Sequence, residues 1–367
     1  MSNIRIKNFK FILKNQKIDG YISTDINEAF YLFSLSVSKI EMMFFSNKIF
    51  LFLDGRYLQM AKEKNKDKDV LVKDKDEKID VLKKFFNKNK NIKSLGFNSK
   101  KVTYYDFIKN TEFFKKELRL KINHIPLDES PCMWLRLIKD ASEIKAMIKA
   151  ARITYQGVLY AQKCLKEGIS EKELALKIEC FCRQKGADKM SFDTIVAFGK
   201  NTAYPHHKTS NSKLKKNDFV LIDMGARVDN YDSDLTRFFF FGNVNKKVFS
   251  LYKLVRDAQN IAKNLCKPGK DVKEIDKVVR DFFKKNKVEQ YFSHSLGHGV
   301  GIDIHEPPRL QYNANEDIIL KENMVITLEP GLYIPGTGGV RYEDMILITK
   351  KGYKNFYLDE ELNNLND

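Results

Sequence analysis

Two stretches about a hundred residues apart carry the same punctuation, and a repeat on that scale narrows the choice of fold more than any single motif. In the first, a helical run opens near Ser142, with Ile144, Met147, Ile148, Ala151, Tyr155, Val158 and Leu159 at helical spacing, and stops at Gly168. Ser170 and Glu173 then form a capping-box pattern for a second helix that ends at Gly186. In the second stretch, residues 246–266 predict a helix that meets Pro268-Gly269, and Asp271 with Glu274 repeats the cap. Strand-type runs follow each helix pair: residues 191–198, 219–223 and 235–241 after the first, 324–328 and 340–348 after the second. The pattern predicts a duplicated helix–helix–sheet half rather than a solenoid array, with both halves around a shared sheet and a cleft between them.

This duplication leaves the first third of the chain to be explained. Residues 1 to about 127 read as an α/β domain, in which Gly20–Ser23 and Ile49–Leu53 are short apolar runs of strand type. Asp54-Gly55-Arg56-Tyr57 ends the second run and opens a helix, while the Lys, Asp, Glu and Asn of residues 61–94 read as solvated helix faces and loops. Proline and polar residues cluster at Asp128-Glu129-Ser130-Pro131, which sets the expected domains at 1–127 and 131–367. His124, alone before Pro126, reads as structural.

The net charge of +17 raises the question of a nucleic-acid partner. Lysine far outnumbers arginine and is spread along the chain, with no arginine-rich arm, zinc-finger spacing or aromatic RNA-binding signature, so no nucleic-acid partner is expected. Five cysteines without framework spacing make no disulfide scaffold, and Cys180 with Cys182 point to different faces of a helix. The N-terminus is broken by charge every few residues, and no apolar run approaches a membrane span. A cytoplasmic enzyme or binding protein with no membrane association is the expectation.

The chemistry concentrates in Ser293-His-Ser-Leu-Gly-His-Gly-Val-Gly-Ile-Asp-Ile-His-Glu-Pro-Pro308, where His294, His298 and His305 stand among alternating glycines. Glycine at that density lets backbone come close to whatever the histidines hold. Around it, acids sit on strand-type segments: Asp223 ends Phe-Val-Leu-Ile-Asp, Asp234 precedes Leu235–Phe241, Glu329 ends Met-Val-Ile-Thr-Leu-Glu, and Glu343 interrupts an apolar run. A carboxylate at the end of an apolar strand is costly to bury unless it is paired or binds a metal. Four of them converging would repel one another, and two divalent cations would cancel that charge, with His298 as the fifth ligand. Four oxygen donors and one imidazole suit Mn²⁺, Co²⁺ or Fe²⁺ better than a structural zinc. Any one of these acids alone is a cap or a surface residue, and neither Glu306 nor Asp344 has a claim beyond adjacency. The ordered set carries the argument.

With those residues in order, the chain resembles the proline-specific branch of the creatinase/prolidase/methionine-aminopeptidase superfamily, the pita-bread fold. The matched pieces are IDMGARVDNYDSDLTR, HSLGHGVGIDIHEPP, MVITLEPGLYIPGTGGVRYED and NTAYPHHKTS, with WLRLIKDASEIKAMIKAARIT for the opening helix and LDGRY in the N-terminal part. The resemblance implies an α/β (α+β) chain: a creatinase-like N-terminal domain, then a pseudo-two-fold catalytic domain. It further implies that Asp223 binds one metal and His298 with Glu329 the other, while Asp234 and Glu343 bridge both. Manganese is the first choice of ion, with cobalt, iron or zinc behind it. Glu329 would also relay a proton to the departing nitrogen. His206 and His305 would hydrogen-bond the substrate carbonyl or oxyanion, and His294, Tyr333 and Arg341 would line a pocket for the proline ring. Arg341 and Glu343, two apart in one strand, should share a face. Met345 departs from relatives that commonly carry a second acid there.

The function so implied is hydrolysis of the bond between an N-terminal residue and a following proline, an Xaa-Pro aminopeptidase acting as a homodimer on small peptides. Proline nitrogen has no N–H for an ordinary peptidase to grip, which is why such bonds need a dedicated site. A strict Xaa-Pro dipeptidase of the prolidase type is the alternative. A catalytically inactive scaffold that binds RNA or ribosomes is the more distant one.

Overall fold

In the computed structural model, residues 2–243 and 246–357 are described; residue 1, residues 244–245 and residues 358–367 lie outside that description, so the ends of both expected domains do too. The chain divides into two compact units, Met1–Arg136 and Leu137–Asp367. The short helix Pro131–Arg136 packs on Ser2–Asn15 and belongs with the first unit, a few residues beyond the Asp128–Pro131 cluster.

The first unit is built on a six-stranded mixed sheet. Gly20–Ser23 pairs parallel with Ser94–Asn98 and antiparallel with Glu41–Phe45, which pairs antiparallel with Ile49–Leu53. Glu41–Phe45 and Ile49–Leu53 read as continuous apolar runs because both faces are covered. On one face Met43, Phe45, Phe50 and Phe52 meet Leu82, Phe86 and Phe114; on the other Phe44 meets Phe9 and Phe33. The charge-rich stretch 61–94 contributes more than solvated surface. Val70–Asp74 is a parallel edge strand on Ile49–Leu53, and Lys78–Lys88 is a helix with Leu82 and Phe86 in the core. Its apolar residues come in short islands, Val70-Leu71-Val72, Val81-Leu82 and Phe85-Phe86, separated by lysines and acids, and islands that short do not declare a period. His124 lies in this unit, its ring edge-on to Phe107 and Phe114.

The second unit repeats itself. Ala141–Cys164 and Glu171–Gln184 precede a three-stranded antiparallel sheet of Ile195–Phe198, Asp218–Met224 and Leu235–Phe241. Lys246–Leu265 and Val272–Lys285 precede a five-stranded sheet in which Gly297–Gly299 and Val325–Leu328 are central. The match extends to single hydrogen bonds. The Gly168 N–H donates to the Leu214 carbonyl and the Leu214 N–H to the Ile169 carbonyl, both at 2.9 Å. Gly269 and Leu320, then Leu320 and Lys270, repeat that pair at 2.9 and 2.8 Å. Asn217 and Asn323 sit at equivalent points before their strands, each in the left-handed region at φ 65° and 67° that asparagine tolerates.

Three details differ from the sequence reading. Among the described residues the two halves do not share one hydrogen-bonded sheet: the three-stranded and the five-stranded sheets are separate. The capping box at Ser170 and Glu173 closes, but Asp271 accepts from the Lys273 N–H, and the Glu274 carboxylate turns to Lys270 instead of returning to the Asp271 N–H. The run 340–348 is not one strand: Gly338–Arg341 pairs with Gly331–Ile334, Asp344–Ile348 joins the five-stranded sheet, and Tyr342 and Glu343 lie at the break. Among the described residues no helix is long and apolar enough to cross a membrane, and all five cysteines are free thiols.

The aromatic layer gives a test. Phe45 makes ring contacts with Phe50, Phe85 and Phe86, so Phe45→Ala should cost about 3–5 kcal/mol of stability in the first unit. Urea unfolding of the two proteins measures it, and a loss below about 1 kcal/mol would contradict the packing described.

Candidate active site

All the candidate residues fall in the second unit. Asp223 and Asp234 come from neighbouring antiparallel strands: Asp223 lies opposite Thr236, two residues past Asp234. Glu329 and Glu343 come from the second half, Glu329 just past Val325–Leu328 and Glu343 at the break between sheets. His298 is the middle residue of Gly297–Gly299. Its glycine neighbours admit protein rather than ligand: a Cβ at Gly297 would lie 2.1 Å from the Thr327 carbonyl oxygen, and one at Gly299 2.2 Å from that of Pro307. Strands thus close tightly on both sides of His298 and fix its backbone.

Asp234, His298 and Glu343 each offer a ligating atom within 4.8 Å of the other two. His298 Nδ1 is 3.0 Å from the Gly299 carbonyl, which can only accept, so the proton sits on Nδ1 and Nε2 presents a bare lone pair. That lone pair faces carboxylate oxygens of Asp234 at 3.6 Å and Glu329 at 3.5 Å. Burial, with the nearby His305, pushes the imidazole down to about 3, so it stays neutral. Burial first, then mutual repulsion, pushes the acids up: Glu343 to about 8, and Asp234 and Glu329 well above the carboxylate range. Oδ1 of Asp223 is buried without a hydrogen-bond partner. A lone pair aimed at carboxylates, acids unable to ionise together and an orphaned carboxylate oxygen are what a cation would satisfy. These residues fit divalent metal.

Beside the acids stands a hydrogen-bonded trio. The Arg341 guanidinium donates to the Tyr333 hydroxyl at 2.8 Å, and His294 Nε2 lies 2.9 Å from the same hydroxyl. Arg341 also donates to Asp223 at 2.6 Å, to the Pro205 carbonyl at 3.1 Å and to Thr236 Oγ1 at 3.0 Å. The arginine expected beside a proline pocket thus also neutralises one of the acids expected to hold metal. His305 stacks edge-on against His298 with ring centres 4.4 Å apart. His206 is exposed and lies near both His294 and His305. Asp223, Asp234, His298, Glu329, Glu343, His294, Tyr333, Arg341, His305 and His206 are therefore gathered in one region of the unit. Arg341 ends one strand and Glu343 lies in the break that follows, yet both reach Thr236 Oγ1, Arg341 as donor and Glu343 as acceptor at 2.8 Å.

The sequence reading missed the groups behind the acids. Thr236 is fully buried between Glu343 and Arg341, and Thr327 Oγ1 accepts the His298 N–H at 3.1 Å. Asp344 is fully buried and binds Arg237 at 2.6 Å and Lys263 at 2.5 Å. Arg237 in turn donates to the Glu343 carbonyl, and Gln259, which accepts from Lys263, donates to the carbonyls of Leu328 and Tyr342. This network grips the main chain next to Glu329 and at Glu343. A signal was present: Arg237 inside Leu-Thr-Arg-Phe-Phe-Phe-Phe needs a buried acid. Glu306 likewise holds a buried ion pair with Lys139 at 2.8 Å.

Comparisons with known proteins agree with this geometry. Residues 145–350 match Metallopeptidase family M24, and residues 5–121 match the Creatinase/Prolidase N-terminal domain. The chain belongs to metallopeptidase family M24; it is a hydrolase of a family that works with divalent metal ions. A Pyrococcus horikoshii protein named Xaa-Pro dipeptidase is 41% identical over 283 residues, covering 76% of this chain and 77% of that one. The solved structure of an Xaa-Pro dipeptidase from Bacillus anthracis superposes with a TM-score of 0.89 at 31% identity, covering 98% of both chains. That of an X-Pro aminopeptidase from Thermotoga maritima gives 0.81 at 30% identity, covering 95% of this chain and 97% of that one. These relatives have the pita-bread architecture expected from the sequence.

Two outcomes follow. Thr236→Val keeps the shape but removes the hydroxyl shared by Glu343 and Arg341, and should lower metal affinity or activity about 10–100-fold, read by metal titration and assay. Burial raises the Asp344 carboxyl, but Arg237 and Lys263 outweigh it and hold the group below its ordinary value. Its contribution to stability is therefore complete above the unfolded value of about 3.9 and is lost as pH falls through the lower folded one. Unfolding free energies from pH 6 down to about 2.5 should show this acid loss in the wild type and less of it in Asp344→Asn.

Proposed function

We propose that this chain is a metal-dependent Xaa-Pro dipeptidase that releases proline from dipeptides. One observation carries the reading: buried acids from both halves face the neutral His298 beside the His294–Tyr333–Arg341 trio. The sequence alone put the aminopeptidase first. The order reverses because the most similar relatives compared above are named dipeptidases; the Thermotoga X-Pro aminopeptidase keeps the longer-peptide activity as the second reading.

Asp223, Asp234, His298, Glu329 and Glu343 would hold two divalent ions, manganese before cobalt, iron or zinc. Ions held there supply Lewis acidity and an activated water. The protein's own groups do the rest. Arg341, Tyr333 and His294 form a linked polar wall against which the proline end of the substrate is oriented. His305 and His206 would donate hydrogen bonds to the carbonyl oxygen as charge builds on it. Glu329 carries the proton for the departing nitrogen, which as a secondary amine must be protonated to leave. A soluble homodimer in the cytoplasm acting on small peptides completes the reading, with the oligomer testable by light scattering.

Purified protein, stripped with a chelator and reloaded with Mn²⁺, should cleave Xaa-Pro dipeptides and leave tripeptides with proline second nearly intact. Equal or better turnover of the tripeptides would transfer the assignment to the aminopeptidase. His298→Ala should lose activity by more than about a thousandfold together with bound metal, measured by elemental analysis. Full activity in that variant would remove the metal reading altogether.

A further inference from the structure

The second histidine of Pro205-His206-His207 is not used by the chemistry above, and it leads to a carboxylate far more elaborately held than a helix start requires. Glu171 is the first residue of Glu171–Gln184 and is fully buried. Its Oε1 accepts from the Phe198 N–H at 2.9 Å and the Asn201 amide at 2.7 Å. Its Oε2 accepts from the Ser210 N–H at 2.9 Å and the Ser210 hydroxyl at 2.7 Å, and His207 Nε2 lies 2.8 Å away. Facing a carboxylate, that ring nitrogen carries its proton and donates. Burial raises the Glu171 carboxyl, but these donors outweigh it and keep it below the ordinary value, hence ionised.

The five donors come from the two ends and the interior of one segment, residues 198–210. Its middle faces the active site. The Pro205 carbonyl accepts from Arg341, Thr202 Oγ1 accepts from the Gly339 N–H at 2.8 Å, and His206 follows directly. His207 also donates its N–H to the Tyr204 carbonyl, so the turn containing Pro205 and His206 is closed on itself. A charged acceptor with five donors holds a segment in one geometry better than apolar packing would, because misplacing any donor leaves it buried and unpaired.

We propose that Glu171 and His207 form a clamp that positions Pro205 and His206 for catalysis, both acting through the segment rather than by touching substrate. The proposal rests on the peptidase reading above. Loss of the clamp releases the Pro205 carbonyl from Arg341 and lets His206 leave the reacting carbonyl, so the penalty falls on kcat more than on KM.

The test compares His207→Ala, Glu171→Gln and His207→Gln in the metal-loaded protein; the glutamine amide can reach Glu171 as Nε2 does. With an Xaa-Pro dipeptide, His207→Ala and Glu171→Gln should lower kcat at least about tenfold with bound metal unchanged, and His207→Gln should recover most of it. Wild-type kcat in His207→Ala, no rescue by His207→Gln, or activity lost in step with bound metal would each overturn the clamp. Hydrogen exchange supplies a readout without substrate. Amides in 198–210 should exchange at least about tenfold faster in His207→Ala and Glu171→Gln but not in His207→Gln, and unchanged exchange would also overturn it. If the wild type cleaves no Xaa-Pro bond, the peptidase reading fails and exchange alone decides the clamp.

Discussion

Mutual repulsion among carboxylates that the fold has taken out of water governs the second unit. Asp223, Asp234, Glu329 and Glu343 are all buried or nearly so, and burial together with their neighbours' charge pushes Asp234, Glu329 and Glu343 upward. A group of this kind costs several kcal/mol unless compensated. The compensation visible in the protein is partial: Arg341 reaches Asp223, Thr236 reaches Glu343, and His298 brings a lone pair rather than a positive charge. Divalent ions of the kind the family uses would complete it.

Holding repelling groups in place requires rigid surroundings, and the buried ionic network behind them provides that. Asp344 holds Arg237 and Lys263, and Arg237 and Gln259 donate to the main-chain carbonyls of Glu343, Leu328 and Tyr342 rather than to the candidate side chains themselves. Main-chain anchoring leaves the carboxylates free to face the ion while fixing where they start. The same division recurs on the other side, where Glu171 anchors the segment that carries Pro205 and His206.

Much of this was legible in the residues, and the gaps have physical causes. The helix–helix–sheet repeat was readable because glycine and the caps punctuate both halves alike, and it appears in the hydrogen bonds of Gly168 with Leu214 and Gly269 with Leu320. The acids were readable because a carboxylate at the end of an apolar run is anomalous in any soluble chain. Residues 61–94 were not, because apolar islands of two or three residues among lysines carry a weak period although Leu82 and Phe86 are core. The break at Tyr342 and Glu343 was hidden inside an unbroken strand-like run, since nothing local marks where a chain leaves one sheet for another. The roles of Thr236, Asp344 and Glu171 went unassigned for a different reason: their partners lie 107, 81 and 36 residues away, and even Arg237 in its apolar run does not say which acid it meets.

The duplication has a consequence for how the protein is assembled. Asp223 and Asp234 belong to the first repeat, and His298, Glu329 and Glu343 to the second, so neither repeat owns the whole proposed coordination set. An ion seated among them acts as a cross-link between two otherwise separable pieces of chain. Retention of metal would therefore report that the repeats have docked in register, because either repeat alone offers only part of the set.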